Sequence, residues 1–199
     1  MADDKRGREK QARDAENRRR AREIETELRR GDEPEPPVEH GDVEAIVADL
    51  ASVAFPATGA EVVAAVGDRE VVTAEETYTV AALVPETDRR TFESAAAVGV
   101  YVRRPTVASA MKRIVEAVDT LPDASLDGAQ REGYERTLRE LVAIDAVDED
   151  EGVRAVADWV VERVREKGAL PASRAVRREA AAFCRANGYE VRDDEWLGV

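Results

Sequence analysis

The sequence predicts a mainly α protein: a charged N-terminal helix or tail, a small mostly helical domain with at most a short strand or hairpin, and a C-terminal helical bundle. Three observations carry that prediction. Apolar residues recur at helical spacing over most of the chain after residue 41. Glycines, prolines and capping residues cut that pattern into segments of helix length, and strand-like composition is confined to short stretches such as Glu70-Val71-Val72-Thr73. Shifts in composition then divide the chain into a charged arm (1–31), a Pro/acidic linker (32–40), a small α(β) domain (41–103) and a helical domain (104–199).

Charge sets the habitat. The 199 residues carry 43 acids against 30 bases, a net charge of −13. Only Lys5, Lys10, Lys112 and Lys167 are lysines; every other base is an arginine. Abundant Asp and Glu with almost no Lys suits a high-salt cytoplasm, where carboxylates hold water at the surface and their repulsion is screened within about 3 Å at molar ionic strength. The reading is a halophilic, cytoplasmic protein. In such a cell an acidic balance does not by itself exclude nucleic-acid binding. No apolar run approaches a membrane span, and the N-terminus has no signal-peptide core.

In the arm, acid–base pairs recur at helical spacing, as in Asp4/Arg8, Glu9/Arg13 and Asp14/Arg18. With 11 bases against 8 acids over 1–31, the arm is either a solvated helix or a fluctuating tail, and its interleaved acids dilute any basic patch. Gly31-Asp-Glu-Pro-Glu-Pro-Pro-Val-Glu-His40 is a linker whose prolines block helix. His40, the only histidine, is expected at the surface.

In 41–103, Asp42 is positioned to cap a helix bearing Val43, Ile46, Val47 and Leu50, which Phe55-Pro56 breaks. Thr58-Gly-Ala-Glu61 is a capping box for a helix with Val62, Val63 and Val66 inward and Gly67 at its end. A short helix over about Thr79 to Val84 stops at Pro85. Thr91-Phe92-Glu93-Ser94 opens a last helix, with Gly99 and the β-branched Val98, Val100 and Val102 leaving a strand open.

Phe55-Pro56-Ala57-Thr58, the Glu61-Val-Val helix with its Gly67-Asp68 exit, and Phe92-Glu93-Ser94 resemble a family of short, acidic, uncharacterised haloarchaeal proteins, domain of unknown function 5789. The opening Met1-Ala-Asp-Asp-Lys5 and the Gly-Asp-Glu-Pro-Glu-Pro linker are similar to that family's leader, so the resemblance covers residues 1–103. It implies the same habitat and no activity. The chain departs from the short members by continuing for almost a hundred residues.

In 104–199, Thr106 is placed to cap a helix with Val107, Met111, Ile114, Val118 and Leu121 on one face, ended by Pro122-Asp123. A second helix over about 128–146 aligns Tyr134, Leu138, Leu141 and Val142. Asp148-Glu-Asp-Glu151 then precedes a third, with Val153, Ala157, Val160 and Val164 inward. Acids at a helix start complement its dipole, and their spacing matches no calcium loop. The fourth begins at about Pro171 and ends before Gly188, with Val176, Ala180 and Phe183 inward and Cys184 at the margin. Together the third and fourth form a helix-turn-helix-like pair over 150–188. The remainder, Tyr189-Glu-Val-Arg192 and Asp193 to Val199, is read as a strand and a docked tail.

Chemistry is conspicuously thin. One His and one Cys give no nucleophile–base pair and no zinc spacing, isolated glycines cradle no phosphate, and no carboxylate pair stands out in so acidic a chain. The protein is therefore expected not to be an enzyme and to need no cofactor or metal. Two classes remain. One is a protein-interaction or structural accessory, with an unidentified protein or a second copy as partner and Trp159 and Trp196 as candidate interface residues. The other is a DNA-binding regulatory module, with Arg174, Arg177, Arg178 and Arg185 on one side of the last helix as candidate phosphate and base contacts.

Overall fold

A computed structural model of the protein describes residues 38–74, 76–122, 124–144 and 151–189. The expectations for the arm, most of the linker, the acids at 148–150, and the tail with Trp196 lie outside the described residues. The fold is mainly α. In chain order its elements are α1 (His40–Asp49), a 3-10 turn (Leu50–Ser52), β1 (Ala57–Thr58), α2 (Gly59–Val66), β2 (Glu70–Val72), β3 (Thr77–Thr79), α3 (Val80–Leu83), β4 (Thr91–Phe92), α4 (Ala95–Val102), α5 (Pro105–Asp119), α6 (Gly128–Ile144), α7 (Glu151–Lys167) and α8 (Ser173–Ala186). The strands form two separate antiparallel pairs, β1 with β4 and β2 with β3.

Side-chain caps start three of the early helices. Thr58, Thr79 and Ser94 each accept a bond from the amide three residues on, and at α2 Glu61 reciprocates to the Thr58 amide at 2.7 Å, completing the capping box. Asp42 does not cap α1. It sits inside the first turn, and its carboxylate instead accepts from Val72 N at 3.0 Å, tying α1 to β2. The segment around Gly99 is helix, not strand. A side chain at Gly99 would lie 2.8 Å from Val47 Cγ2, so glycine lets α4 press directly on α1. These elements enclose a core of Ile46, Leu50, Val62, Val71, Val80, Leu83, Phe92, Val98 and Val102.

Pro105 occupies the first position of α5, where a missing N–H costs nothing. The cap position therefore falls to Arg104, and Thr106 lies within the helix. α5 faces two ways. Ala108 joins the first core, and Lys112 Nζ donates to Val84 O at 3.2 Å, while Val107, Ala110, Met111, Ile114 and Val118 enter a second core. That second core is filled by Tyr134, Leu138, Leu141 and Val142 from α6, by Val153, Val156, Ala157, Val160 and Val164 from α7, and by Val176, Ala180 and Cys184 from α8.

Contacts fix the helix directions. Thr106 and Ala110 share a groove with Val153 and Arg154, Arg113 pairs with Asp158, and Ala117 and Thr120 share a groove with Val161 and Arg165. α5 and α7 are thus parallel neighbours. The start of α6 meets the start of α8, where Gly133 abuts Ser173 and Gln130 reaches Pro171. Its end meets the start of α7, where Leu141 lies against Gly152. The result is an up-down-up-down four-helix bundle in which α8 packs on α6 and α7 rather than on α5.

Candidate interaction face of the C-terminal hairpin

The candidate residues of the sequence lie on α7 and α8, so the turn between these helices decides what they form. α7 ends at Gly168, whose φ of 62° lies in the left-handed region open to glycine. α8 starts later than its proline suggests. Pro171 lies in the turn, and its carbonyl accepts from the Tyr134 hydroxyl and from Gln130 Nε2 at 2.9 Å. Burial pushes the Tyr134 phenol up to about 12. α8 closes with a Schellman pair: Tyr189 N donates to Cys184 O at 2.9 Å and Gly188 N to Arg185 O at 3.4 Å, with Gly188 at φ 79°. Tyr189 then stacks on Phe183, ring centroids 6.4 Å apart.

The two helices expected over 150–188 are present, but they run antiparallel and do not form the steeply crossed helix-turn-helix-like pair that the sequence suggests. Gly152 stands about 22 Å along α7 from the turn and Phe183 about 15 Å along α8, so arms at a right angle would hold them roughly 27 Å apart. Instead a Cβ at Gly152 would fall 3.0 Å from Phe183 Cε1. The two helices lie side by side, an αα-hairpin rather than the steep crossing of a helix that enters a DNA groove. Phe183, expected inward, is only half-buried and covers Gly152; the inner face is Val176, Ala180, Ala181 and Cys184.

The four arginines do not share one environment. Arg174, Arg178 and Arg185 are exposed, while Arg177 is half-buried at the edge of the helix. By helical geometry the exposed three lie within about 40° of arc, in a stripe about 16 Å long. Among the described residues none of the four forms an ion pair, whereas Arg69, Arg89, Lys112, Arg113 and Arg136 each meet a carboxylate. Trp159 is half-buried against the bundle core, with the Arg163 guanidinium 5.2 Å from its ring centroid. It is seven residues past Gly152, hence on the same edge of α7, and in antiparallel register it is level with the part of α8 around Val176. Trp159 thus lies at the seam where α7 meets the Phe183 flank of α8, while the arginine stripe lies on the opposite flank of α8, roughly 180–220° around it from Phe183.

Sequence reasoning missed one cluster. Arg90 is half-buried, its guanidinium 4.5 Å from the Phe92 ring and 5.5 Å from that of Tyr101, and burial together with the nearby Arg131 lowers its proton affinity. Burial likewise raises the Tyr101 phenol well above its ordinary value. Arg131 donates to Leu126 O at 3.1 Å while its Nε is buried without a partner among the described residues. No periodicity marks such a group, since its members come from four separate elements and loops.

His40 is exposed at the start of α1 and Cys184 is buried in the bundle. Among the described residues there is no group of three His, Cys, Asp or Glu placed to hold a metal ion, and no helix long and apolar enough to cross a membrane. Residues 37–114 match the model of a family of unknown function, DUF5789. That segment starts after the arm, spans the first core and runs into α5. No curated protein and no solved structure matches the chain.

Proposed function

We propose that this chain is a halophilic, non-enzymatic cytoplasmic accessory that works by binding another protein or a second copy of itself. The observation that most supports this reading is the antiparallel α7–α8 hairpin. Its surface carries a half-buried tryptophan on α7 and, on a separate flank of α8, exposed arginines without a carboxylate partner among the described residues, residue types enriched where interfaces bind most strongly. The halophilic part rests on the acid excess and the near absence of lysine. Static light scattering of the full chain in molar KCl, together with analysis of what copurifies from its source, tests it. A clean monomer with no partner would count against it.

A second reading is a DNA-binding regulatory module using the 150–188 pair. Its support is the set of four arginines on α8. The antiparallel packing of α7 weighs against it, because a helix running alongside leaves less of α8 free to enter a groove. The net charge also weighs against it, since DNA affinity falls steeply with salt and the chain supplies no broad basic field. Duplex binding across a salt series separates the two readings: equal, weak binding by wild type and by Arg174→Glu/Arg178→Glu removes this one.

A further inference from the structure

We propose that Arg90 and Arg131 form a binding site for a small inorganic oxyanion of the phosphate or sulfate class, at the seam between the family segment and the helical bundle. The site stands apart from the accessory reading above and lies in a different part of the molecule.

Two half-buried guanidiniums meet at this seam. Arg90 lies over the Phe92 ring at 4.5 Å and the Tyr101 ring at 5.5 Å, and Tyr101 packs against both cores. The neighbouring Arg89 reaches Ala124 O at 3.0 Å, and Arg131 donates to Leu126 O at 3.1 Å, two residues further along the same loop. One loop thus gathers the Arg89–Arg90 corner and the first turn of α6. After burial, the charge of Arg131 is the largest influence against protonation of Arg90.

Like charges held close and partly out of water are costly unless a counter-charge joins them. The chain supplies little. Among the described residues no carboxylate forms an ion pair with either arginine. Glu135, one turn beyond Arg131 on α6, favours the charge of Arg90 without pairing with it. Asp127 is engaged by Gln130 N at 2.8 Å. Arg131 is also the fourth residue of α6, at the end where the helix dipole opposes a cation, and its buried Nε has no partner among the described residues.

An anion relieves each of these costs. The rings hold the plane of the Arg90 guanidinium, and Arg90 Nη1 spends one hydrogen on Thr91 O at 3.2 Å. The outer nitrogens that remain on the two side chains are donors, and one oxyanion with several acceptor oxygens takes charge-assisted bonds from both. Other arginines without a carboxylate partner differ in setting. Arg165 and Arg174 are exposed, so water carries their charge.

The test is phosphorus NMR of inorganic phosphate with the full chain, at an ionic strength held constant by KCl. The phosphate line should broaden with the parent chain and sharpen when excess sulfate displaces it. In thermal melts, each tenfold rise in phosphate above its dissociation constant should lift the midpoint by about 3–5 °C. Arg90→Gln and Arg131→Gln should each abolish the broadening and most of the lift, whereas Arg165→Gln should change neither. No broadening by the parent, or broadening that persists in both glutamine variants, overturns the proposal. A lift shared equally by all chains reflects the general exclusion of phosphate from protein surfaces and overturns it too. If a glutamine variant does not fold, the lysine variant at that position keeps the charge without the planar fork; about tenfold weaker phosphate binding is expected, and unchanged binding overturns the proposal.

Discussion

The hydroxyl of Tyr134, buried in α6, donates to the carbonyl of Pro171, the residue that turns the chain from α7 into α8. This bond spans 37 residues and ties the α7–α8 turn to α6. Replacing Tyr134 with Phe leaves Pro171 O with Gln130 alone and should cost about 1–2 kcal/mol, read as a lower thermal midpoint.

The same phenol predicts an alkaline limit. Its folded value of about 12 lies above the ordinary value near 10, so the folded state holds the proton more tightly than the unfolded chain does. Its contribution is complete below about 10 and is lost as pH rises through about 12. Urea midpoints measured from pH 9 upward should fall across that window, and the fall should be shallower in Tyr134→Phe.

Gly59 and Gly128 should respond oppositely to alanine. A Cβ at Gly59 would lie 2.0 Å from Pro85 O, a backbone atom that cannot swing aside, so Gly59→Ala should cost about 3 kcal/mol or more. Nothing lies within 4 Å of a Cβ at Gly128, in the first turn of α6, and Gly128→Ala should be neutral or stabilise by up to about 1 kcal/mol. Paired denaturation curves decide this. A mild Gly59→Ala would mean that the approach of α2 to Pro85 is looser than described.

The capping box of α2 should be visible in acid. The Thr58 amide and hydroxyl hold the Glu61 carboxyl below its ordinary value. Because the folded value is depressed, the stabilisation is present above the ordinary carboxylate range and is lost as pH falls through the folded value. An NMR titration of Glu61 should show the low value in wild type and only a partial rise in Thr58→Ala, which removes the hydroxyl but keeps the amide donor. Thr58→Ala itself should cost about 1 kcal/mol at neutral pH.

Salt tests the habitat. With a net charge of −13, the folded chain repels itself at low ionic strength, and molar KCl shortens that repulsion to about 3 Å. The thermal midpoint should climb steadily as KCl is raised into the molar range. A flat or falling response would be incompatible with the halophilic reading.

Where signals are local, the sequence could be read. Thr58 and Glu61 lie three apart and cap as expected, and the inward faces of α5, α6 and α7 follow from their periodicity. Strands β1 and β4 are two residues each and pair across more than thirty positions, so no alternation could announce them. Asp42 and Thr106 are residue types that favour caps, yet a strand amide claims the first and a proline at the first helical position displaces the second. On α8 the inward face is rotated from the one its periodicity suggests, because the seat of Phe183 depends on a glycine thirty-one positions earlier. The arginines could be found, but not that Arg177 is partly covered or that Trp159 lies on the flank away from them. Those facts depend on helix direction, which pattern alone does not encode.

α5 is a party wall. The family segment ends inside it, yet its far side is upholstered for tenants that come only afterwards. A descendant that shed α6 to α8 would leave Val107, Ala110, Met111 and Ile114 in open water, and would have to rewrite them as polar residues to stay soluble. The appendage cannot be gained or dropped as a loose cassette. In any chain sharing the segment, the oiliness of these four positions should disclose whether a bundle follows.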